Sequence, residues 1–261
     1  MALLELHSII KQLKAKNIQL EIFQELASTN SYVKKFFGQS KIHVCLAESQ
    51  TAGRGRFNRQ WHSPFGQNIY LSMLYPFQKK MISLSGLSLV IAVSICQLLE
   101  ERFGIHHKID VKWPNDIMCH GKKLAGILIE AQATMPGCCD VIIGVGLNIN
   151  MTENNKITIP WTSLKKETGK DYDRNIIVAS LIDKLCDDMH AFNHKGLQPF
   201  LSEFQKRDVL KGNIIQIKSN ENEIQGICHG INEQGELMLE LSNGEIKAFF
   251  SGDVSIKSHN Q

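Results

Sequence analysis

The residues best suited to binding an anion lie in GRGRFNRQW, residues 53–61. Glycines let backbone amides approach a ligand closely, and Arg54 and Arg56 add guanidinium groups that match phosphate or carboxylate oxygens. Arg59 and Trp61 strengthen this interpretation, because an indole can cover a purine ring. Two alternatives remain open. GRGR alone is more typical of a surface loop or of a segment that touches nucleic acid. Trp61 could instead be a buried residue that packs against the hydrophobic base of the loop.

A second candidate site lies in VKWPNDIMCHGKKLAGILIE, residues 111–130. Lys122 and Lys123 leave a turn at the start of a strand, where alternation points them to opposite faces, so at most one enters a given site. The apolar pattern does not choose between them, and both could be solvated turn lysines. Asn115 and Asp116 could contact a metal or a nucleotide, or bond to their own backbone as turn residues do.

A third candidate is Ser28-Thr29-Asn30. All three are preferred at helix starts, where capping is their commonest use. A helix start also offers free amides beside small hydroxyl and amide groups, which can hold a polar ring. Other site patterns are missing from the sequence: GVGLN lacks the third glycine of a dinucleotide fingerprint, and neither GxxxxGK[ST] nor GxSxG occurs.

Composition limits the classes of protein that fit. The 261 residues are 43% hydrophobic, enough for one large domain or a large and a small one. The net charge of +3 balances 29 basic against 26 acidic residues, which is too even to indicate a nucleic-acid or membrane surface. Seven cysteines without CxxC spacing indicate free thiols in a reducing cytoplasm, and we expect no secretion signal and no membrane span.

Apolar periodicity predicts the elements that position these segments. Helices are predicted over 1–16, from Ser28 or Thr29, and over 84–103, 174–192 and 197–204. Strands are predicted at IQLEIFQEL, IHVCLAES, NIYLSMLYP, VKWPNDIM, KLAGILIEA and DVIIGVGLNIN, with a tight turn near His120 and Gly121. After Lys211 the short strands NIIQIKS, EIQGICHGI, LMLEL and EIKAFFSGDVSI predict a small barrel. We therefore predict two domains, 1–211 and 212–261.

Together the three candidate segments resemble the catalytic core of biotin protein ligases, and the resemblance runs from about Phe23 to near the C-terminus. It implies an α+β fold: a mixed β-sheet catalytic domain of the class II aminoacyl-tRNA synthetase type, followed by a small SH3-like β-barrel. Only 27 residues precede Ser28. The chain thus resembles the ligase-only type that lacks an N-terminal DNA-binding domain, and we expect no DNA binding.

The resemblance also implies roles for individual residues. Contact with biotin is implied for Ser28, Thr29, Asn30 and Gln50, and closure of a loop over biotin and the activated intermediate for Arg54, Gly55 and Arg56. Lys123 would reach the carboxylate and the α-phosphate, so Lys123 and Arg56 are the expected catalytic residues. The ATP or adenylate side would comprise Arg54, Arg56, Arg59, Trp61, Lys123 and Asn148, with Asn115 and Asp116 as polar support. Thr51 and Phe57 depart from the family pattern and are expected to tune the loop.

The implied reaction is activation of biotin by ATP and Mg²⁺ to biotinyl-5′-AMP, then transfer of biotin to a lysine of the biotin carboxyl carrier domain of acetyl-CoA carboxylase. No metal site made of protein ligands alone is expected, and the chain could be a monomer or a homodimer. Two other functions are kept open. One is a lipoate or octanoate ligase or transferase, which GRGRFNRQW and KWPND disfavour. The other is a non-catalytic nucleic-acid-binding module, which predicts a basic stripe elsewhere.

Overall fold

The computed structural model describes residues 3–105, 109–219 and 222–257. The helices are α1 (Leu6–Gln12), α2 (Thr29–Val33), α3 (Leu87–Phe103), α4 (Leu164–Thr168), α5 (Arg174–Lys195) and α6 (Leu201–Arg207). The strands are β1 (Ile18–Leu26), β2 (Ile42–Gln50), β3 (Ile69–Phe77), β4 (Ile109–Lys112), β5 (Asp116–Cys119), β6 (Lys122–Met135), β7 (Cys138–Leu147), β8 (Ile214–Ser219), β9 (Asn222–Ile231), β10 (Leu237–Glu240), β11 (Ile246–Phe249) and β12 (Asp253–Ile256).

The first seven strands form one sheet in the order β1-β2-β3-β7-β6-β5-β4. β1 and β2 are parallel and the other neighbours are antiparallel, so the predicted α+β fold with a mixed sheet is confirmed. The last five strands form an antiparallel sheet in the order β11-β10-β9-β8-β12, in the place of the predicted barrel. None of the helices in the described ranges combines the length and apolar composition needed to cross a bilayer.

The two faces of the large sheet have different partners. α3 and α5 pack on one face, over apolar side chains such as Leu46, Met73 and Ile143. α2 packs on the other face, where Val33 joins a small cluster with Cys45, Leu74 and Ile142. Because strand residues alternate between faces, every second residue of β2, β3, β6 and β7 lies on the α2 face. The rest of that face is left open for a site.

Several predicted boundaries were wrong. α1 is shorter than residues 1–16, of which Met1 and Ala2 lie outside the described residues, and α3 begins at Leu87 because Gly86 has a left-handed φ of 78°. The predicted stop at Gly104 is confirmed, with φ 62°. α5 continues three residues beyond 192, and the predicted helix over 197–204 is a 3-10 turn at Gln198–Phe200 followed by α6.

Two predicted strands are each divided in the structure. VKWPNDIM forms β4 and β5, because proline has no N–H with which to continue a strand ladder and the chain turns back at the Asn115 N–H to Lys112 carbonyl bond of 3.2 Å. EIKAFFSGDVSI forms β11 and β12, which lie at opposite edges of the small sheet. The predicted turn at His120 and Gly121 is confirmed, and both residues have positive φ, 48° and 72°.

Candidate active site

One cavity of about 910 Å³ lies on the α2 face of the large sheet. All the residues to which the resemblance gave a binding or catalytic role line it: Ser28, Thr29, Asn30, Gln50, Arg54, Gly55, Arg56, Arg59, Trp61, Asn115, Asp116, Lys123 and Asn148. The structure therefore brings together residues that lie up to 120 positions apart in the chain. Their individual roles stay predictions.

The start of α2 is fixed at one end of the cavity. Ser28 is its N-cap, and the Ser28 hydroxyl accepts a 3.5 Å bond from the Ser31 N–H, so Ser28 does serve as a helix cap. The Thr29 N–H and hydroxyl both donate to Gln50 Oε1, at 2.9 and 3.1 Å, and Gln50 Nε2 donates to the Ser63 hydroxyl at 3.0 Å. Thr29 and Gln50 thus hold each other in one orientation.

Ser72 extends this network and was missed in the sequence. Its hydroxyl lies 2.7 Å from Thr29 Oγ1 and 2.6 Å from Asn30 Oδ1, and its side chain is fully buried. The signal was the single serine inside the largely apolar run IYLSMLYPF. A buried polar group requires a hydrogen-bonding partner, and here the partners are two predicted site residues.

Two glycines of GVGLN make room for the site. A Cβ on Gly144 would lie 2.3 Å from Asn30 Oδ1, and a Cβ on Gly146 would lie 2.4 Å from the Trp61 ring. Glycine is required here for space, not for an unusual φ. Two glycines at positions i and i+2 of a buried strand leave one face bare, and that pattern is the sequence signal for these residues.

Lys123 faces the cavity because of a β-bulge. The register between β5 and β6 shifts between Ile117 and Met118, so Lys123 pairs with Met118 while Ala125 pairs with Ile117. The bulge places the Lys123 side chain beside Gly126, on the face that lines the cavity, and so settles the choice that alternation left open. Lys122 is exposed. The Lys123 ammonium lies 2.7 Å from the Asp116 carboxylate and 5.4 Å from the Trp61 ring centroid.

The predicted polar support is partly structural. Asn115 Nδ2 donates to the Ile127 carbonyl at 2.7 Å, and its Oδ1 accepts from Arg56 Nη1 at 3.4 Å. Asn148 is buried and donates to the Thr162 carbonyl at 2.9 Å. Asn115 therefore positions a loop arginine, whereas Asn148 anchors the chain segment that follows the cavity wall.

The glycine-arginine loop, residues 53–59, contacts the small sheet. The Gly55 N–H donates to the Arg59 carbonyl at 2.7 Å and closes the loop. Arg56 Nη1 donates to the Gly252 carbonyl at 3.3 Å, and Arg59 pairs with Asp253. Phe57, predicted to tune the loop, has a left-handed φ of 55° and is 60% exposed. Asp253 was missed because its contact with the loop exists only once the two sheets pack together.

Charges concentrate at the end of the cavity opposite α2. Burial is the largest influence on the pKa of the Arg56 guanidinium and on that of the Lys112 ammonium, and it lowers both. The nearby Asp116 carboxylate acts to raise both pKa values. Burial acts to raise the pKa of Asp253, but the hydrogen bond and charge of Arg59 outweigh it, so the pKa is lowered. This end therefore holds several cations, each near a carboxylate, and can accept an anionic group in place of those carboxylates.

A segment at 156–161 forms a further wall that the sequence did not reveal. The Lys123 N–H donates to the Pro160 carbonyl at 3.0 Å, and the Thr162 N–H donates to the Lys123 carbonyl at 2.9 Å. The segment is thus tied to the strand that carries Lys123. The residue types in NKITIPW do not predict this contact, because it consists of backbone hydrogen bonds between residues far apart in the chain.

One group among the described residues has metal-ligating atoms close together: Cys119, His120 and Glu167. Burial, first among its influences, raises the pKa of the Cys119 thiol to about 12, so the thiol is protonated at neutral pH. The Glu167 carboxylate is already engaged by His120 Nδ1 at 2.7 Å and by the Thr162 hydroxyl. We assign no metal to this group.

The chain is similar to several characterised proteins. Residues 22–148 match the Biotin/lipoate A/B protein ligase family, and residues 212–257 match the biotin protein ligase C-terminal domain. The bifunctional ligase/repressor BirA of Escherichia coli is 37% identical over 259 residues, which cover 98% of this chain and 79% of that protein. A biotin–[acetyl-CoA-carboxylase] ligase of Paracoccus denitrificans is 29% identical over 86% of this chain and 98% of that protein. The structure of a biotin protein ligase from Aquifex aeolicus in complex with biotin and ATP is similar with a TM-score of 0.78 and 29% identity, covering 92% of this chain and 98% of that one.

Proposed function

The chain belongs to the biotin protein ligase family, and from this premise we propose how its cavity carries out the reaction. The protein activates biotin with ATP, giving biotinyl-5′-AMP and pyrophosphate, and transfers the biotinyl group to a protein lysine. The observation that carries the assignment of roles is the division of one cavity into two ends. Fixed hydroxyl and amide groups lie at the α2 end, and Arg56, Arg59 and Lys123 lie at the other.

At the α2 end, Thr29, Asn30 and Gln50 would bind the ureido ring of biotin, with Ser28 capping the helix that presents them. A cyclic urea has two N–H donors and one carbonyl acceptor, so it needs both acceptors and donors in fixed positions. The network through Ser72 and Gln50 supports this, because it holds those groups before a ligand arrives. Binding then requires little ordering of side chains.

At the cationic end, Lys123 would contact both the biotin carboxylate and the α-phosphate of ATP. The carboxylate is already ionised at neutral pH, so its oxygen can attack phosphorus without a base, provided that the like charges are held together and neutralised. Arg54 and Arg56, in the loop with Gly55, would supply positive charge beside Lys123. Pyrophosphate leaves, and the mixed anhydride remains under the loop.

The adenosine part would lie between Trp61, Arg59 and the wall at 156–161. These groups line the cavity beside Gly146 and Asn148. Keeping water from the anhydride is the task of this cover, since hydrolysis would waste the activated acid. The transfer is completed when a neutral lysine amine attacks the acyl carbon and AMP departs.

We propose that Mg²⁺ enters with ATP. The ion prefers oxygen ligands and commonly uses one or two carboxylates together with phosphates and water. Asp116 and the Asn115 amide oxygen fit this preference, because both line the cavity at the cationic end. When bound, the ion would add positive charge at the phosphates.

The acceptor that we propose is the biotin carboxyl carrier domain of acetyl-CoA carboxylase, the enzyme in the name of the Paracoccus relative. We also propose a cytoplasmic location, because all seven cysteines are free, as is usual in a reducing compartment. Three expectations stay predictions: that the protein does not bind DNA, that its two domains meet between residues 211 and 212, and that it is a monomer or a homodimer.

The partners of the loop arginines argue against the nucleic-acid-binding alternative. Arg54 bonds Glu130, Arg56 bonds a backbone carbonyl of the small sheet, and Arg59 pairs with Asp253. A loop that binds nucleic acid needs its guanidinium groups to pair with phosphates, whereas here they pair with acceptors of the same chain. No observation favours lipoate over biotin.

The experiment that tests this function is pyrophosphate release from ATP and Mg²⁺ with biotin or lipoate as the acid. For wild type we expect release with biotin alone. Lys123→Ala should lower the rate by about a thousandfold, the scale of losing one donor that stabilises developing charge. Arg56→Gly should still form the adenylate and lose it prematurely. Release with lipoate alone would assign the protein to the lipoate class, and no release with either acid would reject the enzyme.

A further inference from the structure

Glu130 lies where the biotin end of the cavity closes. On β6, Gly126 and Leu128 line the cavity, and Glu130 is the next residue on the same face because strand residues alternate. Its neighbour across the ladder is Ile142, two residues before Gly144. Glu130 therefore stands between the cavity and the small apolar cluster beneath α2. The Glu130 side chain is 23% exposed.

Three groups from separate segments meet at the Glu130 carboxylate. Its Oε2 accepts from Asn30 Nδ2 at 2.9 Å and from Arg54 Nη2 at 2.8 Å. Its Oε1 lies 2.8 Å from the Lys34 ammonium, which projects from the surface. Burial acts to raise the pKa of Glu130, but the hydrogen bonds of Lys34 and Asn30 and the charge of Arg54 outweigh it, so the pKa is lowered. The carboxylate is therefore ionised at neutral pH.

The bond to Glu130 determines which way the Asn30 amide points. An ionised carboxylate only accepts hydrogen bonds, so it must face the NH₂ group of Asn30. The Asn30 Oδ1 atom then lies over Gly144, next to the Ser72 hydroxyl. That orientation presents an acceptor, not a donor, to a ligand on the cavity floor, which matches a ureido N–H.

The same oxygen that orients Asn30 also holds Arg54. A charge-assisted bond from a guanidinium is about twice as strong as a neutral one, so it limits where the Arg54 end of the glycine loop can lie. The loop would thus be attached to the residue that recognises the ring. Without Glu130, both the amide orientation and this attachment are lost together.

We propose that Glu130 is a positioning residue that couples recognition of the biotin ring to closure of the glycine-arginine loop, by orienting Asn30 and holding Arg54 through one carboxylate. The inference rests on the proposed function for its statement that Asn30 and Arg54 serve biotin. It adds a residue that makes no contact with the reacting atoms.

The variant Glu130→Gln tests this proposal, because it keeps the shape and removes the charge and one acceptor. We expect the KM for biotin to rise by about ten- to a hundredfold, the value of a hydrogen bond to a charged group. The KM for ATP should change by less than about twofold, and dissociation of biotinyl-adenylate should be faster. Glu130→Asp keeps the charge and should restore part of the biotin affinity.

Lys34→Ala is the matched control, since it removes a contact to the same carboxylate from the solvent side. Its biotin KM should stay within about twofold of wild type. A cycle of Glu130→Gln, Arg54→Ala and the double variant should be non-additive in the adenylate dissociation rate, because Glu130 acts there through Arg54. Additive effects would overturn the coupling.

The outcomes separate this inference from the proposed function. If wild type releases pyrophosphate with biotin but Glu130→Gln keeps its biotin KM, only the role of Glu130 is rejected. If the KM for biotin, the KM for ATP and the melting temperature all change together, Glu130 merely stabilises the fold and the inference is again rejected. If wild type shows no biotin-dependent release, the proposed function itself fails.

Discussion

The two ends of the cavity differ in how their side chains are held. At the α2 end, hydroxyl and amide groups bond to one another, Thr29 to Gln50 and to Ser72, and one carboxylate, Glu130, orients Asn30. At the opposite end, cations are held by carboxylates, Lys123 by Asp116 and Arg59 by Asp253. The first end is ready for a ligand as it stands, whereas at the second end an incoming phosphate must replace the carboxylates. The comparison predicts that biotin affinity depends on the fixed positions of these groups, including the bond from Asn30 to Glu130, and that ATP affinity depends on the net charge at the other end.

Among the variants that test this comparison, the largest effect is expected from Gly144→Ala. The new Cβ would lie 2.3 Å from Asn30 Oδ1, so Asn30 must move although its hydrogen bonds to Ser72 and Glu130 hold it in place. We expect the KM for biotin to rise about a hundredfold, the scale of a displacement of about 1 Å at a site. The KM for ATP serves as the internal control and should be nearly unchanged. An unaltered biotin KM would show that the α2 end adapts and is not rigid.

A smaller effect is expected from Asp253→Asn at the cationic end. The Asp253 carboxylate forms an ion pair with Arg59, and both side chains are largely exposed, at 61% for Arg59 and 42% for Asp253. Freeing Arg59 should lower the KM for ATP by about two- to fivefold, in line with the strength of exposed ion pairs. Added salt should diminish the difference, and biotin KM should not change.

The control for that variant is Glu203→Gln, which removes one acidic charge from a surface cluster with Lys206 and Arg207. Its KM for ATP should equal that of wild type. A higher KM for ATP in Asp253→Asn would mean that Asp253 orients Arg59 for the nucleotide, and the contrast between the two ends would be weaker than we infer.

The smallest effect is a pH dependence of stability beneath α2. His43 is buried and stacks on Phe36 at 3.9 Å, and burial lowers its pKa below 6.5, with Lys41 and Lys35 adding to the shift and Glu21 opposing it. In the unfolded chain His43 takes up a proton near pH 6.5, so stability should fall as the pH drops from 6.5 towards the lower folded pKa. Melting temperatures between pH 5 and 8 should fall less steeply below pH 6.5 in His43→Phe. Equal slopes would contradict this role.

The sequence was most informative where a local pattern is sufficient. The alternation of apolar residues located β2, β3 and β7, and the apolar stripe with Gly104 located the end of α3. The three candidate segments were recognised from residue types alone, and their members do line one cavity. Local patterns succeed here because strand alternation, helix caps and left-handed glycines depend on only a few neighbouring residues.

Local patterns failed where distant segments meet. Alternation could not choose between Lys122 and Lys123, because the bulge opposite Met118 that turns Lys123 towards the cavity arises from pairing with β5. Asp253 became part of the cavity only through packing of the small sheet, and the wall at 156–161 only through its ladder with Lys123. The sequence around Ser72 and Glu130 does not show which residues they bond to. Only their hydrogen-bonding partners in the folded chain show that they orient site residues.

The amino-acid sequence by itself determined the family, the order of most elements and the candidate residues that line the cavity, because those follow from residue type and local spacing. The tertiary structure alone decided which side chains bond to which: Asn30 and Arg54 share Glu130, Lys123 faces Asp116, and Arg59 reaches Asp253. Hydrogen bonds and ion pairs need atoms within about 3 Å of one another, and the relative positions of residues tens to hundreds apart in the chain are set only by strand register and by the packing of the two sheets.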